Sequence, residues 1–278
     1  MAFVGTSTTS IADYLQDKIV PNALGQLIGE LDLLRDVPVI PFSLQERLGK
    51  NKTVRVPETG GLSAVIRAEL DPVVDQALTT AKTEINFTEA ESTFVIDNQA
   101  DDVMNEELFN LNIGDAVKAV SELIIQNAYI ALGAAAGTTI GVANTPLVYD
   151  VFVDPKRLLT NSKIPKANRF YHVSPQTMEE IMNFTQYEGV FGFNGEKKNE
   201  EVAQLAGFTV RESVYLEVLG PGIRNIAFQA QQVGQVFPPQ KSETKAGMVK
   251  RTLAANGYSV SILVENAPGT NGGSRCTV

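Results

Sequence analysis

The chain has 278 residues, of which 44% are hydrophobic and 20% are charged, a composition typical of a folded protein and unlike that of disordered chains. The net charge of -9 argues against a protein that binds nucleic acid by its phosphates, because such binding depends on clustered lysine and arginine. No apolar run approaches the about 18 residues of a membrane span and the N-terminus lacks the pattern of a signal peptide, so we expect a protein made and kept in a cytoplasm.

An amphipathic, mostly helical arm is predicted over residues 10–36. Its apolar positions recur at helical spacing, with interruptions at Pro21 and Gly25. These positions are Ile11, Leu15, Ile19, Leu24, Leu27, Ile28, Leu31 and Leu34. Such an arm can pack on its own core or on a neighbouring chain, and the sequence favours neither.

Residues 52–96 alternate between apolar and polar side chains, the pattern of strands with one polar face. Val54 and Val56 alternate with polar neighbours, and a second alternating run follows the turn at Asp71 and Pro72. We therefore predict an extended two-stranded excursion. It needs a supporting surface, because an isolated ribbon is marginal in water.

A long helix is predicted over residues 115–135 as the structural spine. Asp115 is placed to cap its start, and an apolar face runs without proline or glycine until Gly133. That face comprises Val117, Val120, Ile124, Ala128 and Leu132.

An α+β module follows the small-residue stretch after this helix. Asp154-Pro155 and Ser174-Pro175 each predict a helix start, since both pair a good cap with proline at the first helical position. Strands are predicted over residues 169–173 and 208–213. A closing strand is predicted over residues 257–264, followed by a Gly/Asn/Pro tail that we expect to be disordered or held by a neighbouring chain.

Few residues are suited to catalysis. The single Cys276 excludes an intrachain disulfide, and the single His172 lies in an apolar strand context that favours a hydrogen-bonded core histidine over a catalytic one. The glycine-rich run 189–195 lacks the ending of a phosphate-binding loop. We predict no catalytic residue, no metal site and no cofactor. A hydrolase or transferase that uses an unrecognised carboxylate pair stays as the enzyme alternative.

Two charged groups are interpreted as structural. The carboxylates near residues 101–107 match no ordered metal loop and fit the acidic first turn of a helix. The densest basic group, formed by Lys163, Lys166 and Arg169, is interpreted as a solvated loop.

The order of these segments resembles the major capsid proteins of tailed bacteriophages, which have the Hong Kong 97 fold. Three sequence segments resemble the family most: Arg-Phe-Tyr-His-Val-Ser-Pro at residues 169–175, Leu-Ala-Gly-Phe-Thr-Val-Arg-Glu-Ser at 205–213 and Ile-Ala-Phe-Gln-Ala at 226–230. The likeness extends over nearly the whole chain.

The resemblance implies an α+β fold divided into five parts. These are an N-terminal arm at 1–51, an E-loop at 52–100, a peripheral domain with the spine helix at 101–148, an axial domain at 149–237, and a closing peripheral strand with the C-terminal tail at 238–278. Within the E-loop we expect contacts between subunits, and the candidates are Arg55, Arg67, Glu69, Lys82 and Glu84.

The function implied by the resemblance is that of a major capsid protein in the virion, assembled in the host cytoplasm. Copies would form hexamers and pentamers of an icosahedral shell that encloses double-stranded DNA without sequence-specific binding. Scaffolding, portal or decoration proteins are possible further partners, and no membrane partner is expected. Some family members form lysine-to-asparagine cross-links, for which Lys52 or Lys82 would be the candidates, but no motif supports one and none is predicted. The alternatives are an encapsulin-like compartment shell and another virion structural protein.

Overall fold

A computed structural model describes residues 19–30, 34–40, 46–47, 53–59, 80–86, 90–96, 106–142, 145, 147–188, 204–219, 225–235, 243–245, 248–255, 258–266 and 274–278. Four α-helices lie in these ranges: α1 (Val20–Glu30), α2 (Glu106–Ala135), α3 (Tyr149–Asn161) and α4 (Pro175–Glu188). The strands are β1 (Glu46–Arg47), β2 (Thr53–Thr59), β3 (Thr80–Asn86), β4 (Thr93–Ile96), β5 (Arg169–Val173), β6 (Gln204–Leu205), β7 (Phe208–Glu212), β8 (Ile226–Gln229), β9 (Glu243–Lys245), β10 (Met248–Ala255), β11 (Tyr258–Asn266) and β12 (Ser274–Thr277).

The chain divides into two compact units. One comprises Met1–Pro38 together with Ala90–Val278, and the other is the continuous segment Val39–Glu89. The second unit holds the three-stranded sheet β1-β2-β3, in which β2 and β3 pair antiparallel over seven residues. The predicted two-stranded excursion is therefore present in the structure, although residues 60–79 between its two long strands lie outside the described part.

Helix α1 packs on the core of its own chain, which answers the question that the sequence left open for this part of the arm. Ile19, Leu24 and Leu27 are buried in one cluster with side chains of α2 and β11. The predicted interruption at Gly25 is wrong, because the helix continues through this residue, while Pro21 lies in the first turn, where a missing N–H costs no helical hydrogen bond. Residues 10–18 and 31–33 of the predicted arm lie outside the described residues.

Helix α2 is the spine, and it is longer than predicted. It begins at Glu106, so Asp115 is an exposed residue inside the helix and does not cap it. The start falls within the acidic run that was assigned to a first turn. Its buried side is centred on Val117, Ile125 and Tyr129, which have 1%, 1% and 0% of their surface exposed.

The predicted α+β module contains the four-stranded sheet β6-β7-β5-β8, with β5 parallel to β7 and antiparallel to β8. Successive side chains of β5 point to opposite faces. Tyr171 and Val173 join a core with Phe152 of α3, while Phe170 packs against the core that contains α1 and α2. The module therefore sits between its own helices and the spine.

The two predicted helix starts have different outcomes. Ser174 caps α4 as predicted, because its hydroxyl accepts a hydrogen bond from the Thr177 amide at 3.2 Å. Asp154-Pro155 does not start α3: the helix begins at Tyr149, and Pro155 is buried inside it. The fully buried Phe152 gives the extra turn a core contact, and Asp154 pairs with Arg157 at 2.8 Å.

The end of the chain also differs from its prediction. Strand β12 (Ser274–Thr277) lies inside the five-stranded sheet β4-β12-β11-β10-β9, paired antiparallel with both neighbours. These last residues are thus held by their own chain and are neither disordered nor dependent on a neighbour. Cys276 in this strand has 1% of its surface exposed. Residues 267–273 lie outside the described part.

Candidate functional site

A buried network of polar side chains joins three parts of the main unit. It consists of Asp36 in the turn after α1, Tyr129 on α2, His172 on β5 and Arg211 on β7. The Tyr129 hydroxyl lies 2.9 Å from Nδ1 of His172, and Nε2 of His172 lies 3.2 Å from Oδ2 of Asp36. Arg211 donates from Nε to the same Asp36 oxygen at 2.8 Å and from Nη2 to Oδ1 at 3.3 Å.

One arrangement of protons satisfies both ring nitrogens of His172. Burial raises the pKa of Tyr129 to about 12, an effect that the Ser213 hydrogen bond opposes and the Asp36 charge increases. Tyr129 therefore keeps its proton at neutral pH and can donate it to Nδ1 of His172. The other nitrogen of a neutral imidazole then carries the hydrogen and donates to Asp36.

The carboxyl of Asp36 is stabilised in its ionised form. Burial by itself would raise its pKa, but hydrogen bonds from His172 and Arg211, together with the positive charge of Arg211, lower the pKa below the usual 3.8. A buried carboxylate is tolerated where such donors replace the lost water.

The network has a structural role, since it links the turn after α1 to the helix α2 and to the strands β5 and β7. His172 and Tyr129 are each 0% exposed, so these two side chains face the network and not solvent, while the Arg211 side chain is 31% exposed. The prediction of a hydrogen-bonded histidine in the sheet is confirmed. Its partners were missed, because Asp36 and Arg211 are 136 and 39 positions away from His172 and no local pattern links them.

A second set of contacts holds the turn that contains Asp36. The side-chain amide of Gln235 donates to the carbonyl oxygens of Leu34 at 3.2 Å and of Val37 at 2.6 Å. Its backbone amide donates to the carbonyl of Pro38 at 3.0 Å. The point at which the chain leaves the main unit is thus fixed by side chain and backbone together.

The point at which the chain returns is fixed by the last strand. Ser92 and Val278 exchange two backbone hydrogen bonds of 3.1 and 2.9 Å, and the hydroxyls of Thr93 and Thr277 lie 2.9 Å apart. Both sets of contacts lie within the main unit, on residues that precede and follow the segment Val39–Glu89 in the sequence.

The predicted contact residues of the hairpin unit are partly accounted for within the chain. Arg55 on β2 lies directly opposite Glu84 on β3 and donates to it from Nε at 2.7 Å. Lys82 is exposed on β3. Arg67 and Glu69 lie outside the described residues, so their role as subunit contacts stays a prediction.

The basic group that was assigned to a solvated loop is divided by the structure. Lys163 and Lys166 are exposed, but Arg169 is only 4% exposed. Its guanidinium donates to the carbonyls of Ile164 at 2.7 Å and Pro165 at 2.9 Å and to the Thr160 hydroxyl at 3.2 Å. Arg169 is therefore a buried residue that stabilises this loop by hydrogen bonds. Its interpretation as part of a solvated group is wrong.

Within the described ranges, no group of three or more His, Cys, Asp or Glu side chains is arranged to hold a metal ion. No helix in the same ranges is both long and apolar enough to cross a membrane. The glycine-rich run 189–195 and the carboxylates of Asp101 and Asp102 lie outside them.

No protein-family model matches the chain, and no curated protein sequence matches it. Its fold is nevertheless recognisable as the α+β fold of the Hong Kong 97 type that the sequence predicted. The chain is similar to the solved structure described as Mycobacterium phage Che8, with a TM-score of 0.56 and 11% identity over 82% of this chain and 78% of the other. At this identity the likeness shows a shared fold.

Two other solved structures align over similar lengths. The capsid structure of the cyanophage P-SCSP1u has a TM-score of 0.47 and 14% identity, covering 87% of this chain and 79% of the other. The asymmetric unit of the bacteriophage PhiM1 mature capsid has a TM-score of 0.46 and 11% identity, covering 82% and 77%.

Proposed function

We propose that this chain is a major capsid protein whose copies assemble into hexamers and pentamers of an icosahedral shell around a viral genome. The observation that carries the proposal is the fold shared with the Mycobacterium phage Che8 structure over 82% of the chain. On this proposal the protein belongs to the virion, is assembled in the host cytoplasm and has a structural role without catalysis.

The separate hairpin unit supports this role. A shell is held together by many weak contacts repeated over identical copies, and segments that extend beyond their own core supply such contacts. Here the segment Val39–Glu89 is a compact unit of its own with a small three-stranded sheet.

Lys82 is the described hairpin residue best suited to test the predicted subunit contacts. We expect Lys82→Glu to reduce shell yield while leaving folding unchanged, because a charge at the rim of an interface affects association more than subunit stability. Lys118→Glu, a reversal at an exposed position of α2, is the matched control. Equal shell yields from the two variants would show that Lys82 does not take part in a subunit contact.

Sedimentation velocity of the purified full-length chain tests the proposed function. We expect a uniform, fast-sedimenting particle in addition to the 30.0 kDa subunit. For particles taken from a native source, DNA that survives nuclease treatment would support a genome shell, and co-purifying protein without DNA would indicate a compartment shell. A chain that stays at 30.0 kDa in all assembly buffers would contradict the proposal.

A further inference from the structure

The end of α3 and the loop after it form a basic surface on an acidic protein. Residues 155–169 contain five lysines and arginines and no aspartate or glutamate, although the chain as a whole has a net charge of -9. Four of the five are exposed: Lys156, Arg157, Lys163 and Lys166, and of these Arg157 is paired at 2.8 Å with Asp154, the residue directly before this range. We call these four residues the basic pole.

The loop that carries the basic pole has a defined shape. The buried Arg169 guanidinium binds two of its carbonyls, and the backbone amides of Lys163 and Ile164 donate to Thr160 and Leu159 at 3.0 Å. Lys163 and Asn168 adopt left-handed backbone conformations with φ of 58° and 55°. Such conformations are uncommon in residues other than glycine, and here they are held by the surrounding contacts. Lys163 and Lys166 therefore lie on a loop whose conformation is stabilised by hydrogen bonds.

The opposite end of the same helix is acidic. Asp150 lies in the first turn of α3 and is exposed. The carboxylate of Glu180 on α4 accepts a hydrogen bond from the Leu147 amide at 2.7 Å, which brings α4 to this end of α3, and the adjacent Glu179 is exposed. We call Asp150 and Glu179 the acidic pole. Along the axis of α3, Lys156 and Arg157 lie about 10 Å from Asp150, and the end of the helix that precedes Lys163 lies about 16 Å from it.

We infer that the basic pole of one copy contacts the acidic pole of a second copy, in a head-to-tail contact between axial modules. This inference rests on the proposed function and specifies one of its subunit interfaces. A contact that joins two different surfaces of identical chains closes into a ring when the rotation between copies permits. Complementary charges at the two surfaces speed association and fix its orientation.

A second copy fits the basic pole better than nucleic acid does. Without the four exposed cations, the rest of the chain has a net charge of -13, that is -9 minus 4. A DNA backbone carries phosphates along its whole length and would meet that acidic surface beyond the small pole. The acidic pole of a second copy is small. It can therefore be attracted to the basic pole without being repelled by the acidic surface around it.

Charge exchange between the poles tests this contact. The first variant carries Lys163→Glu and Lys166→Glu, the second carries Asp150→Lys and Glu179→Lys, and the third carries all four changes. The third variant keeps the wild-type net charge, since the changes of -4 and +4 cancel, and it restores opposite charges at every contact. Lys118→Glu on the exposed side of α2 is the control. Urea unfolding of each variant verifies that the subunit is folded.

We expect shell yield at low salt to fall about tenfold or more in the first two variants and to return to within about twofold of wild type in the third. An equimolar mixture of the first two should form even-membered rings only, because charges of a ring can alternate only when its number of subunits is even. Unchanged shell yield in the first two variants, or no recovery in the third, would overturn the inference. Normal shells that lose DNA in the first and third variants would instead assign the basic pole to nucleic acid. A wild-type chain that never assembles would contradict the proposed function itself.

Discussion

At the scale of single residues, Asp36 determines how the turn after α1 is held. Its carboxylate is 6% exposed and accepts hydrogen bonds from both His172 and Arg211. None of these partners could be predicted from sequence, since the network forms only when the arm, the spine and the sheet have come together. The sequence did predict that His172 is hydrogen-bonded in the sheet, because an apolar strand context requires a buried imidazole to be satisfied.

Replacing Asp36 with asparagine should destabilise the subunit. We expect Asp36→Asn to lower the free energy of unfolding by about 3 kcal/mol, because it removes the charge that Arg211 and His172 stabilise and leaves their donors poorly matched. The matched control is Asp115→Asn on the exposed side of α2, which should change it by about 0.5 kcal/mol or less. Urea unfolding measures both, and equal losses in the two variants would show that the network contributes nothing.

The stability that Asp36 contributes should depend on pH in one direction. Because its folded-state pKa is below the 3.8 of the unfolded chain, the contribution is complete above pH 3.8 and is lost as pH falls through the folded-state pKa. The stability difference between wild type and Asp36→Asn should therefore narrow as the pH is lowered from neutral to below 3.8. A difference that stays constant or widens over this range would be inconsistent with an ionised, hydrogen-bonded Asp36.

Two buried tyrosines allow the contribution of one hydroxyl to be isolated. Burial raises the pKa of both Tyr129 and Tyr171 to about 12, but Tyr129 donates toward His172, whereas Tyr171 packs against Phe152 and Phe208. We expect Tyr129→Phe to cost about 2 kcal/mol, since it leaves a buried imidazole nitrogen without its partner. Tyr171→Phe should cost about 1 kcal/mol or less in the same unfolding assay. A larger loss at Tyr171 would contradict this assignment.

At the scale of elements, the spacing of apolar residues predicted the type of an element, helix or strand, better than it predicted the residue at which the element begins. The apolar face of α2 was predicted in part, since Val117 and Val120 are buried but Ile125 and Tyr129 are more deeply buried than the predicted Ile124, Ala128 and Leu132. Strand β5 was predicted with its observed bounds. The start of α3 was missed because Phe152 enters the core ahead of the Asp154-Pro155 signal. Strand β12 was missed because its glycine-rich approach suggests a loose tail, while its pairing with β4 joins residues about 180 positions apart.

The rate at which the single cysteine, Cys276, reacts with a thiol reagent measures how readily β12 separates from its sheet. Burial raises the pKa of the Cys276 thiol to about 12, so the reactive thiolate is scarce in the folded subunit. We expect a thiol reagent at pH 8 to react about a hundredfold or more slowly with the native chain than with the chain in urea. Reaction at the rate of a free thiol in native buffer would show that β12 is not held in the sheet.

At the scale of the whole molecule, the sequence predicted a helical arm, a ribbon, a long helix and an α+β module in this order, and the observed elements follow that order. The polarity of α3 was not predicted. Its two poles are recognisable only when α4 brings Glu179 beside the start of α3 and when Arg169 is seen to be buried. The proposed contact between copies depends on surfaces assembled in this way from distant parts of the chain.

Negative-stain electron microscopy of the purified full-length protein tests the central claim most directly. The proposed function predicts closed particles of uniform diameter, with rings of five and six copies visible in partial assemblies. Tubes or isolated rings would point to another virion component. Persistent single subunits under every assembly condition would contradict the account.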